Sequence, residues 1–320
     1  MARRPPVRGG FPWRIAAIAL LALALVAGGY FGWRTFKRGG EIKRFLAASV
    51  LVSFGGPEVI RQPGGVAVIP DGRIAVLDRE EHKVLLFSPS GEQVGGFGGF
   101  GVGDVNLWSP EGLSYAAGKL ATFDTGNGYV KVFDLDGRPA AKYPVYSRFY
   151  LPRDLALGED GTIVAADTGN HRLVVMAADG STMRDVGKPG QGKGEFSNPF
   201  SVILLPGGNL AAVDVGNHRI SVFDPAGGFL RDWGIAGREG QYSITPTLGW
   251  VRDRSLIVMA DQHLQQLQVF AEDGGTVGTI GQRPDGRHVF ENTGPVWVDQ
   301  ARPGELVVLT ERGRIFVLGY

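Results

Sequence analysis

Residues 167–176, DTGNHRLVVM, return at 214–223 as DVGNHRISVF, and no other feature restricts the possible folds so tightly. Weaker copies keep the same frame: DREEHKVLLF from Asp78, DTGNGYVKVF from Asp124, DQHLQQLQVF from Asp261 and a degenerate TERGRIFVL from Thr310. Successive copies start 46, 43, 47, 47 and 49 residues apart. A period of this length marks a repeat architecture, in which one supersecondary unit packs against copies of itself.

Every copy has the same internal order. A β-branched run such as 74–77 or 163–166 leads to the Asp, a turn follows, and then an alternating segment such as 219–223, which together read as a hairpin. Upstream lies another short strand opened by Pro and closed by a Gly turn, as in PGGVAVIPDG from Pro63 or PFSVILLPGG from Pro199. Downstream, a second Gly turn leads to a fourth strand ending in Gly, as in GGFLRDWG from Gly227. Four short antiparallel strands per repeat predict a blade, and six repeats predict an all-β, six-bladed β-propeller. The innermost strands should start near Pro63, Pro110, Pro152, Pro199, Pro246 and Pro295.

The sixth repeat lacks its fourth strand, and a spare strand-like segment, SVLVSFGG at 49–56, precedes the first. Residues 49–56 are therefore expected to complete the sixth blade and close the ring, so that no sheet edge is left open there. Glycine makes up 50 of 320 residues, which fits many tight turns rather than disorder because the apolar fraction is a globular 43%.

The first 44 residues differ in kind. Residues 15–33, IAAIALLALALVAGGYFGW, carry no charge, between a basic tail at 1–14 and a basic linker at 34–46; the propeller then occupies 47–320. Nineteen such residues approach the roughly 20 needed for a membrane-spanning helix. The alternative is a secretory signal peptide cut after the small-residue site at 25–27. An uncleaved transmembrane helix or signal-anchor is preferred, because the apolar run continues past that site to Tyr30, Phe31 and Trp33, which suit an interfacial belt. Basic residues flank both ends almost equally, so orientation rests on the short tail and its likeness to a bacterial signal-anchor: a single pass through the cytoplasmic membrane, propeller outside. The chain has no cysteine, which fits either side.

The series PxGVAV strand, DG turn, IxVxD, GNHR[IL], xVF, a second Gly turn and FG before a Gly-rich loop resembles the NHL repeat family, over about 47–320. The resemblance implies a six-bladed propeller. It does not single out a function, since NHL propellers include RNA-binding and protein-binding modules, receptor-kinase sensor domains and a zinc-dependent amidating lyase, and a fold hosts many activities.

Residues that recur in several blades are expected to be structural, since one active site has no use for symmetric copies. Asp167 and Asp214 should accept hydrogen bonds from the turn amides, Asn170 and Asn217 should take the left-handed turn position, and Arg172 and Arg219 should reach neighbouring carboxylates. His82, His171 and His218 share one repeat position, where blades two and five have Gly128 and Gln265. In the lyases that the chain resembles, histidines converge on a metal at the propeller mouth, so these three are the candidate ligands for zinc or calcium. Against that, the turn after the second strand stands about 5 Å outside the inner ring. The preferred expectation is no cofactor.

A specific site needs asymmetry, and that lies in the residues following each inner-strand proline: Gly64, Glu111, Arg153, Phe200, Thr247 and Val296. These should face the wider channel mouth, with Glu111 and Arg153 close enough to pair. The adjoining loops carry Phe97, Phe100, Trp108, Phe149, Tyr150, Phe196, Tyr242 and Phe290. Some should pack between blades; the rest suit recognition of a protein or peptide, for which Glu111, Arg153, Phe200, Thr247 and Trp108 are the candidate binding residues. GGFGGFGVGD from Gly95 has phosphate-loop-like glycine spacing but no following helix, so it reads as a loop between blades.

Charge argues against nucleic acid. The first 44 residues hold nine of the 33 Lys and Arg but one of the 32 Asp and Glu; the remaining chain has 24 basic against 31 acidic side chains, a net −7. Phosphate backbones require concentrated positive charge. The expectation is thus a membrane-anchored, non-catalytic binding scaffold, with a metal-dependent propeller enzyme of the amidating-lyase or lactonase kind as its rival.

Overall fold

The computed structural model describes residues 35–38, 41–44, 46, 48–235, 245–281, 287–290 and 293–320. The apolar segment 15–33, its basic tail and Tyr242 lie outside the described residues. Among the described residues no helix is long and apolar enough to cross a membrane. The chain divides into two compact units, Met1–Phe45 and Leu46–Tyr320. In the first, within the segment expected to be a linker, Thr35–Arg38 and Glu41–Arg44 pair as an antiparallel hairpin.

The second unit is the propeller. Blade one consists of Pro63–Val68, Ile74–Asp78, Lys83–Phe87 and Gln93–Gly98. Blade two follows with Pro110–Ala116, Lys119–Asp124, Tyr129–Asp134 and Pro139–Pro144. Blade three has Pro152–Leu157, Ile163–Asp167, Arg172–Met176 and Met183–Val186, and blade four Pro199–Leu204, Leu210–Asp214, Arg219–Phe223 and Phe229–Gly234. Blade five has Thr247–Val251, Leu256–Asp261, Gln266–Ala271 and Thr276–Ile280. Blade six takes Pro295–Arg302, Glu305–Thr310 and Arg314–Gly319 from the end of the chain, and its fourth strand is Ser49–Gly55, antiparallel with Arg314 opposite Gly55 and Val317 opposite Val52. This is the expected closure. The first strands of neighbouring blades touch all the way round, including blade six on blade one, and so form the inner ring.

The second strands are buried along their whole length, as in Ile74–Asp78 and Leu210–Asp214, or along all but their first residue, as in Lys119–Asp124. Each blade is covered on both faces by a neighbour, which is why these strands read as continuous apolar runs rather than alternating ones. The core accordingly falls into six clusters, one at each seam. Phe123, Val132, Leu155 and Val174 fill the seam between blades two and three, and Val76, Phe87, Val307 and Ile315 that between six and one. Burying one such side chain contributes on the order of 2 kcal/mol. Blades one and two approach so closely that a Cβ on Gly65 would lie 2.6 Å from Leu113 Cβ.

Polar side chains also cross the seams at the inner ring. Ser114 Oγ accepts from Leu157 N (3.0 Å), Asp154 Oδ2 accepts from Ser201 Oγ (2.6 Å) and Val202 N (3.1 Å), and Ser201 Oγ accepts from Leu248 N (3.1 Å). Thr247 Oγ1 donates to Val296 O (2.7 Å), and Val68 N donates to Asp299 Oδ2 (2.8 Å) across the closing seam. An open channel of 1160 Å³ is lined by the C-terminal parts of the inner strands and the turns beyond them, including Ile69, Glu159, Leu205 and Arg302.

Candidate binding site at the channel mouth

The repeat motif is a fastening between blade and lead-in loop. In blades one to four the Asp at the end of the second strand accepts a backbone N–H from the loop that leads into its own inner strand: Asp78 from Arg61, Asp124 from Trp108, Asp167 from Tyr150, Asp214 from Ser197, at 2.6–2.8 Å. Blade six reaches the same result with Glu311, which accepts from Gly294 N (3.2 Å). At Asp167 and Asp214 the amide donor thus comes from the lead-in loop rather than from the turn as expected; turn amides bond the Asp in blade one, where Asp78 also accepts from Glu80 N (3.0 Å), and in blade five, where Asp261 accepts from Leu264 N (3.1 Å).

In blades two to five a carboxylate oxygen also takes side-chain donors. Asn127, Asn170 and Asn217 each donate Nδ2 to their blade's Asp Oδ2, at 2.8, 2.9 and 2.6 Å. Arg172 Nε donates to Asp167 (2.9 Å), and the buried Lys131 Nζ lies 2.8 Å from Asp124. Blade five substitutes Gln268 Nε2, 2.9 Å from Asp261. Burial raises the pKa of Asp214 and Asp261 against the pull of these partners. Buried and fully bonded, the Asp residues are structural as expected.

The expectation for Asn is corrected. The left-handed residue is the one after it: His82, His171 and His218 have φ of 56°, 54° and 53°, Gln265 51° and Gly128 71°. Asn instead needs ordinary helical geometry, because that aims its amide back at the Asp. In blade two a Cβ on Gly128 would also lie 2.2 Å from the Tyr146 ring. A tyrosine thus occupies the space that a histidine fills elsewhere.

This geometry fixes what the histidines do. His171 Nδ1 accepts from Asn198 N (3.1 Å), tying blade three to blade four's lead-in loop, and His82 packs on Phe100 with ring centroids 5.3 Å apart. His82, His171 and His218 sit on the turns of three separate blades, and among the described residues no three of His, Cys, Asp and Glu are grouped so as to hold a metal.

At the mouth the inner-strand prolines precede β-bulges, with register shifts after Pro63, Pro152, Pro199 and Pro295. The extra residue of each bulge is the one singled out in the sequence: Gly64, Arg153, Phe200 and Val296. Glu111 holds the corresponding place in blade two, paired with Phe123. Glu111 and Arg153 do pair, Oε1 to Nη1 at 3.2 Å, and Arg79 joins them from blade one, with Nη1 3.2 Å from both oxygens. Burial pushes the Glu111 pKa up, and the two guanidinium groups oppose that shift.

Arg79 was not foreseen. Its signal is the absent Cβ at Gly64, which would lie 2.5 Å from Arg79 Cγ, so Gly64 is the floor over which Arg79 reaches Glu111. Phe200 is half-buried against the cluster between blades four and five. Thr247 belongs elsewhere. The inner strand of blade five has no bulge, so Thr247 pairs with Ala260 as Asp154 pairs with Ala166, and it is buried in the seam with blade six.

The loop aromatics divide. Phe97, Phe149, Phe196 and Phe290 pack on Phe133, Phe123, Phe223 and Phe316, at 4.9–5.8 Å between ring centroids. Phe100, Trp108 and Tyr150 remain 66%, 44% and 61% exposed, joined by Tyr146 at 67%. Trp108 meets Phe100 edge-on at 5.9 Å.

Residues 149–176, which run from the lead-in loop through the third strand of blade three, match the sequence pattern of the NHL repeat. No curated protein matches the chain. Among solved structures, the ring is similar to a catalytically inactive virginiamycin B lyase from Staphylococcus aureus with quinupristin, with TM-score 0.57, 11% identity, and coverage of 81% of this chain and 80% of that one. It is also similar to a streptogramin B lyase (TM-score 0.58, 14% identity, 83% and 97% coverage) and to selenomethionine-substituted virginiamycin B lyase from Staphylococcus aureus (0.59, 10%, 85% and 99%). At these identities the likeness is one of fold.

Proposed function

We propose that the propeller is a non-catalytic binding module that takes a protein or peptide at the mouth formed by the loops leading into blades two and three, with the apolar segment 15–33 anchoring it outside the cytoplasmic membrane. One observation carries the reading: exposed apolar side chains concentrate there, with Phe100, Val102, Val105 and Trp108 ahead of blade two and Tyr146, Tyr150 and Leu151 ahead of blade three. Aromatic rings left in water beside a partly buried Arg–Glu–Arg cluster have the composition of an interface centre.

Truncating an aromatic anchor of this kind commonly costs about 2 kcal/mol, roughly thirtyfold in affinity. Phe100→Ala and Trp108→Ala should therefore weaken capture of the native partner from membranes while the melting midpoint hardly moves. Arg138→Ala, at an exposed turn on the opposite end of blade two, should leave capture intact; the reverse pattern would mean that the partner uses the other end. Protease added to intact spheroplasts should digest the propeller, and protection until lysis would put the ring inside. The enzyme reading makes a different forecast, namely stoichiometric zinc or calcium in the purified chain that is lost in the double variant His171→Gln/His218→Gln.

A further inference from the structure

The ionic cluster at the mouth is not balanced. Arg79 and Arg153 share one carboxylate, that of Glu111, and each spends a single nitrogen on it. A guanidinium carries five N–H donors in a fixed fork, so most of the donors on both side chains are uncommitted to Glu111. Arg79 Nε is shielded from water and makes no hydrogen bond among the described residues. The arginine side chains are 30% and 35% exposed, while Glu111 is largely covered by them. The acids next to the two arginines in sequence are committed elsewhere: Asp78 to the amides of Arg61 and Glu80, Glu80 to the Arg61 guanidinium, and Asp154 to the seam with blade four and to Leu155 N.

We propose that Arg79 and Arg153 form a binding site for one carboxylate, borne by an acidic side chain or the C-terminus of a peptide, with Glu111 holding the two forks in place. The inference rests on the reading of this mouth as a protein-binding surface and gives the chemistry of the group that is recognised. A carboxylate matches the planar fork bidentately, which a lone ammonium could not offer. Its single charge also matches the one positive charge left over by the trio. A polyanion such as RNA would meet that same charge within a ring of net −7, where long-range repulsion opposes it. Half-buried Phe200, the next mouth position beyond Arg153, gives an apolar neighbour for the body of the ligand.

The probe is phenylacetate, compared with the neutral phenylacetamide by calorimetric titration of the full-length chain in non-ionic detergent. The acid should bind at least tenfold more tightly than the amide, and Arg153→Gln should abolish the preference. Arg153→Lys, which keeps the charge but loses the fork, should reduce it severalfold and serves if the Gln variant does not fold. Glu111→Gln should strengthen phenylacetate binding severalfold, because it removes the internal competitor; a purely structural trio would show no such gain. Equal binding of acid and amide would overturn the proposal, as would a preference that survives in both Arg153 variants or displacement of phenylacetate by a tighter-binding decauridylate. If the acid preference is absent while Trp108→Ala still loses the native partner, the carboxylate inference alone fails. If the preference holds while Phe100→Ala and Trp108→Ala capture the partner normally, the site stands and the docking surface has been misplaced.

Discussion

Asp154 accepts three hydrogen bonds inside the inner ring, yet burial outweighs them, and with the nearby Glu111 charge it raises the pKa to about 7 from a reference of 3.8. Between those values the folded protein holds a proton that the unfolded chain has released. Stability from this group is thus complete below the lower value and declines as pH rises through the upper one. Raising the pH from about 6 to 8 should remove on the order of 1 kcal/mol through Asp154, a few degrees of melting midpoint for a domain of this size. Asp154→Asn stays neutral throughout and should flatten that part of the curve, although Asp299 and Glu111, also raised by burial, leave a residual slope of the same sign. A midpoint in the Asn variant that falls as steeply as in the parent would show that Asp154 is ionised well below neutrality. Such residues differ in how far the sequence betrays them. The repeat Asp was legible because it recurs in five blades, but its main donor lies 16 or 17 residues upstream, a distance that no local motif encodes. Asn170 was misassigned because Asn commonly takes the left-handed position, and here its amide is worth more on Asp167 than its backbone tolerance is in the turn. Arg79 went unnoticed because its partner comes from the next blade.

Strands were read well because the second and third of each blade are largely buried between neighbouring blades, so apolar runs and Gly turns delimit them. Register was harder. Pro246 aligns with the other inner-strand prolines, but blade five lacks the bulge that follows Pro199 or Pro295, and a one-residue difference moves Thr247 from the mouth into a seam. A bulge leaves little trace in composition, so the ring of mouth residues was recovered only where the bulge exists. Closure was legible because it depends on counting strands rather than on register. Ser49–Gly55 completes blade six, and Phe54 from it packs on Phe87 of blade one at 5.5 Å, so the strand joins two blades as well as filling an edge. A chain starting at Pro57 should therefore expose the edge of Arg314–Gly319 and aggregate or lose its sharp transition, compared with one starting at Ala47. Identical melting of the two in calorimetry would show that the closing strand is dispensable.

On the scale of the whole ring, no blade has a core of its own. Every one of the six apolar clusters is built from two adjacent blades, and the last of them joins blade six to blade one. Linear repeat arrays can lose cooperativity because their ends fray, each repeat touching only its neighbours. A closed ring has no end, so losing one blade exposes two seams at once, and partial opening costs nearly as much apolar surface as it would at any other place. Damage to one seam should accordingly be felt everywhere. Phe123 tests this, since it is wholly buried between blades two and three and meets Phe149 edge-on at 5.4 Å. Phe123→Ala should cost about 3–5 kcal/mol through the cavity it leaves. The variant should still melt in one transition, with amide exchange in Leu256–Asp261 of blade five, remote from the mutation, quickened as much as in Ile163–Asp167 beside it. Two separate transitions, or faster exchange confined to blades two and three, would mean that the blades open as individual units and that closure does not couple them.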